Sequence, residues 1–253
     1  MALFQFLKRN QPTPAFSLPP DTRAYAIGDV HGCLDQLADL LGQIEADSRA
    51  APIGREFVIL LGDLIDRGPD SAGVIDYLLR ARETLPNPVF IAGNHEEMLL
   101  RIAGGEDEQL RDWLAYGGDA CVASYGLDPK DLLAMPSKSA IRALRAAIPP
   151  AHLEFVGSFA DSFKLGDYLF VHAGVRPGVA LKDQTIADLH WIRDDFLNSP
   201  ARLPYRVVHG HSITRTPDER DYRIGVDTGA YASGTLTAVR IEGTERSFIT
   251  SRK

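Results

Sequence analysis

The chain is short of cysteine, of long apolar runs and of surplus positive charge, and each shortage removes a class of function. Its two cysteines, Cys33 and Cys121, stand in neither a zinc nor a redox spacing. Any metal chemistry must therefore come from His, Asp and Asn, and a reducing, cytoplasmic setting is expected. No stretch approaches the length of a transmembrane helix, so no stable membrane association is expected. With 27 basic against 34 acidic residues the net charge is -7. That balance argues against a broad face for a phosphate backbone, and no nucleic-acid partner is expected.

What is present is an ordinary globular composition, 45% hydrophobic and 24% charged over 253 residues, enough for one sizeable α/β core. Residues 1–20, with Leu3, Phe4, Phe6 and Leu7 ahead of Lys8 and Arg9 and a proline-rich end, read as a flexible extension without the apolar core of a secretion signal. A transient membrane-surface contact through that short apolar face is the alternative. A single domain is expected over 21–253.

Along that domain, Arg23–Ile27 reads as a buried strand followed by a helix, because the apolar residues at 34, 37, 40, 41 and 44 repeat at helical spacing. A second strand, Phe57–Leu61, leads to a helix capped by Asp70 or Ser71 and running to about Arg82. A third, Val89–Ala92, leads to a helix from Asn94 through about Ile102. Residues 104–153 read as a mostly helical insertion containing Trp113, Tyr116, Gly117 and Gly118, the two aromatics being expected in the core, with the floor of a substrate groove as the alternative. Glu154–Val171 is expected to form a β-hairpin about Gly166–Asp167. Asp188–Leu197 reads as one short helix and Tyr205–Val208 as a strand. The apolar runs Ile224–Val226, Thr235–Ile241 and Phe248–Thr250 suggest a second, partly antiparallel sheet packed on the first.

Five strand ends carry the same kind of residue: Asp29 and His31 in Gly28-Asp-Val-His-Gly32; Asp63; Asn94 and His95; His172; and His209 with His211. An Asp that caps a helix or a histidine bonded to a carbonyl explains any one of them, but five such ends in one chain point to a shared site at the carboxyl ends of the strands. Asp oxygens mixed with imidazole nitrogens suit catalytic divalent ions rather than structural zinc. Two such ions about 3.5 to 4 Å apart can clamp an oxyanion and generate a hydroxide between them, which requires a bridging carboxylate. Asp63 is the bridging candidate, with Asp29 and His31 on one side and Asn94, His172 and His211 on the other. One histidine of His209-Gly-His211 is surplus, and spacing alone does not say which.

Taken together, Gly28–Gly32, Gly62-Asp-Leu-Ile-Asp-Arg-Gly68, Gly93-Asn-His-Glu96, His172-Ala-Gly174 and Gly210-His211 resemble the signature set of the phosphoprotein phosphatase family, a branch of the calcineurin-like metallophosphoesterases. The resemblance covers roughly residues 23–240. It implies an α/β fold of two packed mixed sheets flanked by helices, with a dinuclear metal site at the strand ends, and it selects His211 as the ligand. It further implies that Asp29, His31 and Asp63 hold one metal and Asp63, Asn94, His172 and His211 the other. Manganese is the first expectation for both, with iron or zinc as alternatives. His95 matches the general acid and Asp66 the carboxylate that orients it, while Arg67 and Arg193 match phosphate-binding arginines.

The activity implied is hydrolysis of phosphoserine and phosphothreonine in a protein or peptide substrate, by in-line attack of a metal-bridging hydroxide and without a phosphoenzyme. Symmetrical bis(5'-nucleosyl)-tetraphosphatases are the alternative relatives. They tend to lack the carboxylate at the position of Asp66 and to carry Asp after the Asn-His pair, where this chain has Glu96. Glu96 itself is expected to be a buried acceptor, and Asp227, in Asp-Thr-Gly229, a turn carboxylate, with a place facing the site as the alternative.

Overall fold

The computed structural model describes residues 15–252; Leu3, Phe4, Phe6 and Leu7, and the membrane contact considered for them, lie outside that range. Three strand-loop-helix units open the fold. They are β1 (Thr22–Ile27) with α1 (Leu34–Ala50), β2 (Arg55–Leu60) with α2 (Ser71–Ala81), and β3 (Pro88–Phe90) with α3 (Asn94–Gly104). Asp70 is the cap of α2, its side chain accepting the Gly73 N–H at 2.8 Å. Helices α4 (Leu110–Trp113), α5 (Asp119–Ser124), α6 (Pro129–Ala134), α7 (Ser137–Ala147) and α8 (Pro150–Val156) follow, with a π-helical turn at Leu114–Gly118 between the first two.

The hairpin is shorter than its sequence suggested. Glu154–Val156 belongs to α8, because Pro150 sits in the first turn and His152, Phe155 and Val156 share a buried face at helical spacing. The hairpin itself is β4 (Ser162–Leu165) and β5 (Tyr168–Val171). The single helix expected over Asp188–Leu197 is two, α9 (Ile186–Trp191) and α10 (Asp194–Leu197). A Thr185–Asp188 capping box starts the first, and Arg193, at φ -130° and ψ -103°, breaks the chain before the second. Next come β6 (Arg206–His209), β7 (Asp218–Glu219), β8 (Arg223–Gly225), α11 (Ala230–Ser233), β9 (Thr237–Glu242) and β10 (Glu245–Thr250).

These strands form two mixed five-stranded sheets, ordered β10-β9-β1-β2-β3 and β4-β5-β6-β8-β7, which is the architecture expected. The last two strands were placed wrongly by sequence reading. Of the three late runs only the first, as β8, lies in the second sheet; β9 pairs antiparallel with β1 and takes β10 with it into the first. Alternation along each strand assigns its side chains to layers. Ala24, Ala26, Ile59 and Leu61 meet Tyr168, Phe170, Val208 and Ile224 between the sheets. Tyr25, Ile27, Val58 and Leu60 face α1, α2 and α3, while Leu169, Val171 and Val207 face α9 and α10. Residues 15–20 are not loose. Phe16 and Leu18 are buried in the intersheet core, and the Leu18 N–H donates to Gly243 O at 3.0 Å. Among the described residues no helix is long and apolar enough to cross a membrane.

One polar exception sits in the first sheet. Arg23 is 1% exposed and lies directly across from both Glu56 and Glu242 in the ladder, 3.3 and 2.8 Å from their carboxylates. Removing Arg23 leaves the buried Glu56 carboxylate without its counter-charge, while Glu242 stays partly in water. Arg23→Met is expected to destabilise the fold by about 2 to 4 kcal/mol, the lower part of that span reflecting the partial exposure of Glu242. A lowered urea midpoint at unchanged m-value would register it.

Candidate metal centre

The parallel strands β1, β2 and β3 of one sheet and β5 and β6 of the other end at the same place, and the polar residues that follow them converge there. Backbone hydrogen bonds lock the turns together: Val30 and His31 N–H both donate to Asp63 O, at 3.1 and 2.8 Å. Glu96, fully buried, accepts three more backbone N–H groups, from Gly93 at 2.9 Å, Asp63 at 2.8 Å and Leu64 at 2.7 Å. Sharp turns are the consequence. His31, Asp63, Asp66, Arg67 and His211 all have positive φ, between 46° and 71°, a conformation side chains adopt at a cost of order 1 kcal/mol or more each and one that gathers at functional sites.

Asp63 Oδ2 is the centre of the cluster. It lies 3.3 Å from His172 Nε2, 3.6 Å from His31 Nε2 and 3.9 Å from His95 Nε2. Two groups could therefore hold a cation, His31, Asp63 and His95, and Asp63, His172 and His211, with Asp63 common to both. The donor chemistry fits divalent ions. His31 Nδ1–H donates to Ile65 O and His172 Nδ1–H to Leu61 O, each at 2.8 Å, which leaves both Nε2 lone pairs facing inward. His172 Nε2 then meets acceptors: Asn94 Oδ1 at 3.1 Å, His211 Nδ1 at 3.2 Å and the Asp63 carboxylate. Lone pairs turned on one another in a buried space call for a cation between them.

The titration of these groups is divided: burial would lower His172, but the Asp63 carboxylate outweighs it and raises that ring's affinity for a proton, while two other histidines are held neutral. Burial first, opposed by the Asp63 carboxylate, holds His31 down at about 3, and burial with the neighbouring His172 takes His211 to about 2, so both rings are neutral, as metal binding requires. Burial would raise Asp63, but His172, His95 and His31 outweigh it and keep the carboxyl well below its usual range. Asp29 is pushed up by burial and by the carboxylates of Asp227 and Asp63.

The sequence-predicted residues take up different places about this cluster. His31, Asp63, His172 and His211 meet directly, and Asn94 joins them through His172. Asp29 is buried beside them, but both its oxygens accept the His211 N–H at 3.0 Å, and it falls outside the two groups. His95, expected as an acid rather than a ligand, stands within one group and donates from Nδ1 to Asp66 Oδ2 at 2.6 Å. Arg67 Nη1 is 3.1 Å from His31 Nε2, its guanidinium 5.2 Å from the Tyr231 ring centre. Arg193 is exposed at the margin, with Nη1 3.4 Å from His211 O. His209 turns away, Nδ1 bonding to Gly210 O and its ring packing edge-on against Phe196.

Two residues do more than their first expectation. Asp227 makes the expected turn bond to Gly229 N–H at 2.9 Å, yet it is 2% exposed and acts electrostatically on Asp29. Its place just beyond β8 repeats the strand-end pattern of the other site residues, in keeping with the site-facing alternative. Trp113 is buried as expected, but its indole N–H reaches Asp66 Oδ2 at 2.7 Å, while Tyr116, also expected in the core, is 73% exposed.

The calcineurin-like phosphoesterase family profile matches residues 22–234. An asymmetrical bis(5'-nucleosyl)-tetraphosphatase of a Geobacillus species is 28% identical over 234 residues, covering 85% of this chain and 88% of that protein. Serine/threonine-protein phosphatase 1 of Salmonella typhimurium is 26% identical over 223 residues, covering 86% and 91% respectively. A solved structure assigned provisionally to a diadenosine tetraphosphatase superposes with a TM-score of 0.63 at 21% identity, covering 94% of this chain and all of that one. That likeness bears on the fold.

A shared carboxylate has a measurable signature. Asp63→Asn is expected to weaken divalent-cation binding at both positions by more than roughly tenfold, the least loss seen when even a supporting group is removed. His31→Ala should weaken only one. Dialysis against manganese followed by metal analysis separates the two patterns, and unchanged stoichiometry in the Asp63 variant would exclude the shared role.

Proposed function

The chain belongs to the calcineurin-like phosphoesterase family and is thus a metal-dependent phosphoesterase, and we propose that its substrates are phosphoserine and phosphothreonine in proteins. The observation that carries this reading is the buried pair of His95 and Asp66, joined at 2.6 Å at the edge of the metal cluster. A serine or threonine alkoxide is a poor leaving group, and hydrolysis of its phosphate ester gains most from a positioned proton donor.

The residues that would hold two divalent cations are Asp29, His31 and Asp63 for one and Asp63, Asn94, His172 and His211 for the other. When bound, such ions, manganese first, supply neutralising charge for the phosphoryl oxygens and a water nucleophile at neutral pH. Arg67, fixed against His31 and Tyr231, offers a planar fork to two phosphoryl oxygens. Arg193, beside His211, serves as the second such group. His95 gives the proton on Nε2 to the departing alkoxide. Burial would favour its neutral form, but the Asp63 and Asp66 carboxylates outweigh burial and raise its affinity for the proton. Asp66, bound to Nδ1–H, also fixes which ring nitrogen faces the site. Neither cysteine is needed: both are buried thiols, Cys33 pushed up to about 11 by burial.

The names of the relatives favour a second reading, dinucleoside tetraphosphate hydrolysis of the asymmetrical kind named for the Geobacillus protein rather than the symmetrical kind first considered from sequence. Its phosphate leaving group makes less demand on an acid. Comparison of kcat/KM for phosphoserine and phosphothreonine peptides, a phosphotyrosine peptide and diadenosine tetraphosphate on one manganese-loaded preparation decides between them, a large preference for the dinucleotide favouring the second. His95→Asn is expected to lower kcat on phosphoserine by roughly 10²- to 10⁴-fold with metal content retained. Loss of metal instead would make His95 a ligand and not the acid.

A further inference from the structure

The loop after β2 carries the two residues on which the proposed chemistry turns, Asp66 and Arg67, and both stand in the left-handed region, at φ 71° and 65°. Something must hold consecutive non-glycine residues there. Part of the restraint is local, since the Asp66 N–H donates to Ser71 Oγ at 2.9 Å. The rest comes from the distant helical segment. The Arg67 N–H donates to Gly117 O at 2.9 Å, and the Trp113 indole N–H donates to Asp66 Oδ2 at 2.7 Å, the same oxygen that accepts from His95. Asp66 Oδ1 has no partner within hydrogen-bond geometry among the described residues, although the buried Cys121 thiol lies beside the carboxylate; the two nitrogen donors both meet Oδ2, and Trp113 is one of them.

The backbone of the segment is shaped to deliver both contacts. The helical run breaks at Tyr116 (φ -95°, ψ 15°) and Gly117 (φ 113°), which turns the Gly117 carbonyl toward Arg67. A Cβ at 117 would come within 2.5 Å of Arg67 Cγ, and one at 118 within 2.5 Å of Trp113 Cδ2 and Cε2. Gly117 thus admits the arginine, and Gly118 admits the indole. A tryptophan that merely filled the core would need some acceptor for its N–H, but it would not need this one, nor two consecutive glycines arranged about the acid loop.

We propose that Trp113, seated on Gly118, is a positioning residue for proton donation, holding the Asp66 carboxylate so that His95 presents its proton to the leaving group. The inference rests on the reading of His95 as the acid. Its consequence is selective: substrates whose leaving group needs protonation depend on Trp113, and those whose leaving group departs as a stable anion do not.

Trp113→Phe keeps an aromatic ring and removes the donor. On manganese-loaded enzyme its kcat/KM is expected to fall at least about tenfold more for a phosphoserine peptide than for 2,4-dinitrophenyl phosphate, with the loss in kcat rather than KM. Gly118→Ala, which displaces the indole through a different residue, is expected to show the same selectivity. It carries the comparison if thermal melts show that Trp113→Phe does not fold. Equal losses on the two substrates, or no loss, in the folded variant would overturn the proposal and reduce Trp113 to packing. His95→Asn measured on the same pair separates the two levels. Absence of selectivity there removes the acid assignment itself, whereas selectivity in His95→Asn without it in Trp113→Phe removes only the part given to Trp113.

Discussion

A carboxylate carried into a protein interior costs several kcal/mol unless its charge is met, and Asp63 is such a charge, 2% exposed and ringed by imidazoles. The rest of the structure can be understood as the means of putting it there. Two sheets end their strands against it, one bringing His31 and Asn94, the other His172 and His211. Its own turn is held by Glu96, whose single carboxylate satisfies N–H groups at the ends of two adjacent strands. Electrostatics and backbone geometry converge on the same few residues because the sharp turns that bring ring nitrogens within 4 Å of one oxygen are the turns that leave backbone donors to be satisfied.

Much of this was legible in the sequence, and for identifiable reasons. The opening units declared themselves because apolar runs such as Phe57–Leu61 stop abruptly at Gly-Asp or Gly-Asn, and the helices after them keep a regular apolar spacing. Recurrence at five strand ends made a site of residues that singly would pass for caps. What escaped was mostly tertiary. No local pattern tells an antiparallel strand which of two sheets to join, so β9 and β10 were assigned to the wrong one. A proline pair can end an element or begin one, and Pro149–Pro150 began α8. Aromatic residues three apart, Trp113 and Tyr116, look equivalent on a helix, and only the kink at Gly117 sends one inward to Asp66 and the other to solvent.

The helical segment after α3 therefore has two faces of interest. Its inner face reaches the acid loop through Trp113 and Gly117, and its outer face presents Tyr116, the residue before Gly117, to solvent. Variation in this segment would be felt both by the pair proposed to move protons and by the arginine proposed to hold phosphate, so changes in substrate preference and in rate would arrive together.

The pairing of β9 with β1 has a consequence for the order in which the molecule can be built. Arg23 and Glu242 are partners in the ladder although 219 residues separate them. During synthesis from the amino end, Asp29, His31, Asp63 and Asn94 emerge early, but β1 keeps an open edge until nearly the whole chain is available. That edge is a strand of six buried residues, the kind of template that recruits foreign strands when left unpaired. Closing it late, through contacts of such long separation, makes the final strands the covering of a surface exposed since the first hundred residues appeared.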